Sequence, residues 1–145
     1  MKKLRRAPIF TKRNRKKNEV VWESANDVKV IVNRLLKDLS LEGIEKERLF
    51  FFRSYNTSTR AIARIWGFPR IWQSALKQGP AYCIEVIAEK YDRMNDSQKK
   101  DVLIHELVHI PKNFSGSLIP HVRKGKRNFY NKVKTLINIS KRKIL

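Results

Sequence analysis

The chain has 145 residues and a mass of 17.2 kDa, with 41% hydrophobic residues and 33 Lys+Arg against 13 Asp+Glu, a formal net charge of +20. That is one ordinary domain with material for a core, and a single cysteine, Cys83, excludes a disulfide framework or a Cys-based zinc ribbon. No apolar run approaches the roughly 20 residues that span a bilayer, and the basic N-terminus has no apolar stretch behind it, so a cytoplasmic protein without a membrane partner is expected.

Residues 1–17 carry nine basic groups and no acid. They read as a basic arm that self-repels until an anion neutralises it. From residue 18 onward the charges nearly balance until Pro111, and this near-neutral body holds the periodic segments. A helix is predicted from Asn26, as its cap, to about Leu39, with Val28, Ile31, Leu35 and Leu39 on one face. Leu49–Arg53 reads as a strand, Asn56–Thr59 as a turn and Ala61–Trp66 as a second strand broken at Gly67-Phe68-Pro69. A short helical turn follows from Ile71 to Leu76. After Gly79-Pro80, Tyr82–Ile87 alternates with period two and is predicted as a strand.

Asn95-Asp96-Ser97-Gln98 has the form of a capping box. The helix it opens should run from about Asp96 to Ile110 and end at Pro111. Val102, Leu103, Ile104, Leu107, Val108 and Ile110 cover most of its circumference, which places it inside the domain. A last helix over roughly Lys126–Ile139 would bury Phe129, Val133, Leu136 and Ile137. Residues 112–145 carry ten basic groups and no acid. The expected fold class is α+β: a short, mostly antiparallel sheet packed against the buried helix, with further helices at both ends. The expected organisation is an arm over 1–17, a domain over 18–122 and a basic helical extension over 123–145 packed on that domain.

The buried helix carries His105-Glu106-Leu107-Val108-His109. Two histidines four apart stand one turn above each other, so both imidazoles can reach one metal ion. Glu106 borders the same face and can hold a water beside the metal without ligating it. The ordinary alternative, two core histidines on an apolar helix, leaves a buried unpaired carboxylate at a cost of several kcal/mol. The chain has three histidines in all, and Leu107 to Leu145 contains no Asp, Glu or Cys. A third protein ligand after the helix must therefore be His121, reached through a loop broken by Pro111, Gly116 and Pro120. Three imidazoles with a fourth position open favour one Zn2+.

Ile104 to Pro111, then Phe114-Ser115-Gly116, Leu118 and Pro120-His121, resemble the phage metallopeptidase family of archaea and viruses. Ala63 to Trp72 and Tyr82 to Ile87 are similar to its pattern too, and the likeness covers about residues 48–121. The resemblance implies a small zincin-like fold, His105, His109 and His121 as zinc ligands, Glu106 as catalytic carboxylate, and peptide-bond hydrolysis.

Among other conspicuous residues, Trp66, Phe68, Trp72 and Tyr82 can line a groove or stack bases, but their spacing reads better as core. Arg64 and Arg70 read as solvated surface, Cys83 as a buried small hydrophobe, and Glu85 as a possible partner to a ligand imidazole. Tyr82, Arg123 and Tyr130 are candidates to polarise a substrate carbonyl. The Tyr82–Ile87 strand is a candidate edge for pairing an extended peptide. Three functions remain in play: a zinc peptidase acting on peptide or protein, with Glu106 as general base and acid; a zinc endoribonuclease-like hydrolase; and a nucleic-acid module with a structural metal. DNA or RNA is the expected partner of residues 1–17 and 123–145.

Overall fold

The computed structural model describes residues 19–122 and 128–143. The predicted basic arm and Arg123 lie outside these residues. Four strands, β1 (Val21–Ser24), β2 (Leu49–Tyr55), β3 (Ala63–Trp66) and β4 (Tyr82–Ile87), form one mixed sheet in the order β1-β2-β4-β3. The helices are α1 (Asn26–Asp38), α2 (Arg70–Leu76), α3 (Ala88–Tyr91), α4 (Asp96–Val108) and α5 (Asn128–Arg142). The architecture is α+β, as expected. Both outer pairings are antiparallel, whereas the central one, β2 on β4, is parallel with Phe51 opposite Ile84.

Alternation along the strands sorts the sheet into two faces. Leu49, Phe51, Ala63, Ile65, Tyr82, Ile84 and Val86 are buried in one cluster with Val28, Val32 and Leu35 of α1 and with Leu103, Ile104 and Leu107 of α4. Phe129, Val133 and Leu136 of α5 join the same cluster. On the opposite face Trp22, Phe50 and Trp66 remain exposed.

Four expectations need correction. Asn26 is the first residue of α1 and not its cap. Ala25 holds that place because its N–H is tied to the Phe51 carbonyl at 3.0 Å, so the chain leaves the sheet one residue earlier. The helix over 96–110 ends at Val108, where the His109 and Ile110 N–H groups turn to the carbonyls of Glu106 and Leu107, three residues back. Trp66 and Trp72 are half exposed and not core, because one projects from the uncovered sheet face and the other from α2, which buries no residue. Finally, β4 is an interior strand. The edges are β1 and β3, so a peptide cannot pair with Tyr82–Ile87. Strand β1 and helix α3 were not anticipated.

Candidate metal centre

Helix α4 starts at a full capping box: the Asn95 side chain accepts the Gln98 N–H at 2.9 Å, and the Gln98 side chain accepts the Asn95 N–H at 3.1 Å. Its apolar C-terminal half drives into the core. That half delivers His105, half-buried, and Glu106, buried, with His109 following as the C-cap. His109 keeps right-handed helical dihedrals, φ −67° and ψ −16°. The two imidazoles therefore stand one turn apart, edge to face, with ring centres 5.3 Å apart.

The loop after α4 brings the third imidazole back. Phe114 is buried and packs edge-on against Tyr82, with ring centres 4.9 Å apart. The Tyr82 hydroxyl accepts the Gly116 N–H at 2.8 Å and donates to the Ser117 carbonyl at 2.7 Å. The Gln73 amide donates to the carbonyls of Phe68, at 2.7 Å, and Ser115, at 2.9 Å. Phe68 N–H in turn donates to the Gly116 carbonyl at 2.9 Å. Gly67 and Gly116 allow this approach, since a Cβ on either would stand 2.3 Å from a backbone oxygen of the opposing segment. The Ile119 N–H then donates to the His109 carbonyl at 2.7 Å, and His121 follows two residues on.

Nitrogens of His105, His109 and His121 lie within 4.8 Å of one another, with 2.9 Å between Nε2 of His105 and Nε2 of His121. Nitrogens bound at about 2.0–2.1 Å around a tetrahedral ion stand roughly 3.3 Å apart, and these separations bracket that spacing. The Nδ1 of His109 faces the Ile119 carbonyl at 2.5 Å. A proton on Nδ1 donates there and leaves Nε2 as the lone-pair donor, the arrangement that orients a ligating imidazole. Burial, then the neighbouring imidazoles of His109 and His121, pushes His105 down to about 4. Burial also lowers His109, although its bond to Ile119 works the other way. Neutral imidazoles are what a cation needs. The donor set fits a divalent metal ion.

Burial pushes the Glu106 carboxyl up to about 7, with the Ile65 N–H pulling in the opposite direction. A cleft of about 400 Å³ opens beside it, walled by Ile62, Ala63, Val102, Val133 and Ile137 and lined also by Arg60 and Asp101. Sequence reasoning singled out neither Arg60 nor Asp101, because neither belongs to a local motif. Phe129 is legible in sequence as core, but its contact with the histidines depends on how α5 docks. Its ring centre lies 5.0 Å from His105, 4.4 Å from His109 and 5.0 Å from His121, a wall for all three. Tyr130, half exposed, stacks on His121 with ring centres 5.9 Å apart. Tyr82 is buried, and its hydroxyl is engaged by the loop. Glu85 does not partner an imidazole: it lies on the other face of the sheet, paired with Arg64. Arg64 is correspondingly not free surface. Cys83 is half-buried, and burial raises its thiol to about 11.

A family model described as "Putative phage metallopeptidase" matches residues 20–136, which include all three histidines, Glu106 and the start of α5. No curated protein and no solved structure gives a significant match.

Proposed function

The chain belongs to the phage metallopeptidase family, and from that premise we propose that it is a zinc-dependent peptidase with a zincin-like fold, working through Glu106. The observation that carries this reading is the convergence of His105, His109 and His121 beside a buried carboxylate one residue along the same helix. Three imidazoles would hold the ion and leave a position open, which favours zinc. When bound, a zinc ion supplies Lewis acidity toward a peptide carbonyl and toward water. Glu106 takes a proton from the attacking water at its carboxylate oxygen and passes it to the leaving amine.

The edge strand β3 supports an extended peptide as substrate. Ile87 N–H donates to the Ile62 carbonyl, so the ladder bonds recur at alternate residues; the backbone groups of Ala63 and the Ile65 carbonyl face the open edge, where the Ile65 N–H meets the Glu106 carboxyl. That edge borders the cleft holding His105 and Glu106. A peptide paired there would run past the carboxylate. Tyr130, stacked beside His121, would donate to a substrate oxygen, a task for which Tyr82 is already engaged by the loop; Arg123, the third candidate, lies outside the described residues.

Glu106→Gln tests the reading. The variant should bind zinc as the parent does, by titration calorimetry, and lose about 10²–10⁴-fold in peptide hydrolysis, because a carboxamide accepts no proton. Hydrolysis at the parental rate would remove Glu106 from the chemistry.

A further inference from the structure

The sheet face turned away from α1 and α4 carries a group of residues that hydrolysis does not use. Glu85 lies at its centre and is only 1% exposed, although it sits on the uncovered side of the sheet. Its carboxylate accepts from Arg64 Nε at 2.5 Å, Trp66 Nε1 at 2.9 Å, Trp22 Nε1 at 3.2 Å and an Arg64 terminal nitrogen at 3.3 Å. The guanidinium of Arg64 also lies 4.9 Å from the Trp66 ring centre. Burial alone would raise this carboxyl, but the bonds from Arg64 and Trp66 and the Arg64 charge outweigh it, so it is held below its ordinary value. One ionised carboxylate thus pins two indoles and a guanidinium by their polar edges. Both rings stay about half exposed, Trp22 57% and Trp66 51%, with the Arg64 guanidinium over one face of Trp66.

The platform extends across the strands. In register, Phe50, Cys83 and Trp66 form one row, and Phe52, Glu85 and Arg64 the next. Phe50 is 47% exposed. With two strand spacings between them, Phe50 and Trp66 stand roughly 10 Å apart. Between these rows and Phe68 runs an open groove of about 320 Å³ with almost wholly apolar walls, lined also by Arg48 and Cys83. Arg48 is held at its end by bonds to the carbonyls of Pro80 and Gly79. Among the described strand residues of this face, Glu85 supplies the only carboxylate, and Arg64 neutralises it.

We propose that this face binds single-stranded nucleic acid, with bases stacked on Phe50 and Trp66 and phosphates drawn to Arg48. Charge complementarity selects the occupant: exposed rings, the Arg48 guanidinium and no unneutralised carboxylate among the described strand residues of this face, in a chain whose basic ends add a longer-range attraction to phosphate. Rings fixed on a sheet stack unpaired bases with little regard to sequence, and a duplex cannot offer its base faces. The site lies across the sheet from the histidines, so binding needs neither metal nor Glu106.

The test is fluorescence anisotropy of the full-length chain with labelled oligo-dT, oligo-rU and a duplex of equal length, over a salt series. Phe50→Ala and Trp66→Ala should each weaken single-strand binding about tenfold, leaving the salt slope and the duplex affinity unchanged. Trp66→Phe should recover most of the loss. Phe50 makes no bond to Glu85, so Phe50→Ala keeps the test valid if Trp66→Ala unfolds. Four results would overturn the proposal: no single-strand binding by the parent, parental binding by Phe50→Ala, an equal loss on duplex, or a dimer in light scattering that Phe50→Ala dissolves. The last result would assign the face to a second copy of the chain.

Discussion

At the residue scale the candidate centre depends as much on Gly116 as on its three histidines. Gly116 has φ +93°, a region that L side chains rarely adopt, and any Cβ there would meet the Phe68 carbonyl at 2.3 Å. The loop presents His121 only because two backbones touch at this point. Gly116→Ala should therefore destabilise the fold by at least about 1–3 kcal/mol, the usual cost of a strained backbone position, and should also weaken zinc binding. Denaturant unfolding with a parallel zinc titration measures both. Parental zinc affinity in a folded Gly116→Ala protein would mean that the loop's route does not set the position of His121. The contrast with Ser117, whose neighbouring backbone is tied only through its carbonyl to Tyr82 and its N–H to the Ser115 hydroxyl, shows how local the constraint is.

Elements are joined by polar contacts as well as by the core. Arg53 of β2 forms a paired interaction with Asp27 in the first turn of α1, at 2.6 and 3.0 Å, and also reaches Asp92 after α3 at 3.0 Å. The hydrogen bond from Arg53 holds the Asp27 carboxyl below its ordinary 3.8, although burial pushes the other way. A depressed folded value means that the ionised form is preferred in the native state. Its contribution is complete above 3.8 and is lost as pH falls through the lower folded value. Asp27→Asn should thus lower the melting temperature at pH 7, and the gap from the parent should close in strong acid. Because Asp27 is about half exposed, solvent screening keeps the effect small. Melting curves from pH 7 down to pH 2 would show it; a gap that persists unchanged in acid would mean that the charge contributes nothing.

On the scale of the whole molecule, charge and chemistry occupy different parts of the chain. Nineteen of the twenty net positive charges lie in residues 1–17 and 112–145, outside the near-neutral body that bears His105, Glu106 and His109. We expect the basic ends to add a salt-dependent attraction to any nucleic acid, with a slope of about −0.9 per phosphate contact on duplex DNA. Deleting residues 1–17 should flatten that slope and leave zinc content unchanged, because no ligand lies in that segment. Duplex binding measured across a salt series decides it, and an unaltered slope would make the N-terminal segment solubilising charge only. Among the described residues no helix is long and apolar enough to cross a membrane.

What could be read from the chain by itself was local. The Asn95–Gln98 box is a bond between residues three apart, and β4 declares itself by alternation within six residues. The pairing of His105 with His109 follows from one helical turn, and His121 as the third member of the cluster followed from the absence of any other candidate downstream. Tertiary structure decided what depends on distant partners. Strand β1 has too few residues to carry a period and exists because Val21 to Ser24 pair with Phe52 to Tyr55. Which strand forms the edge was settled by the parallel pairing of β2 with β4, and no residue in either strand announces it. Trp66 and Phe51 look equally like core in sequence. One is exposed and the other buried because helices cover a single face of the sheet, so burial reports the whole packing and not the side chain's own polarity. Glu85 is the clearest case: its carboxylate is buried by Trp22, Arg64 and Trp66, 63, 21 and 19 residues away along the chain. Only folding brings those donors close enough to offset its desolvation.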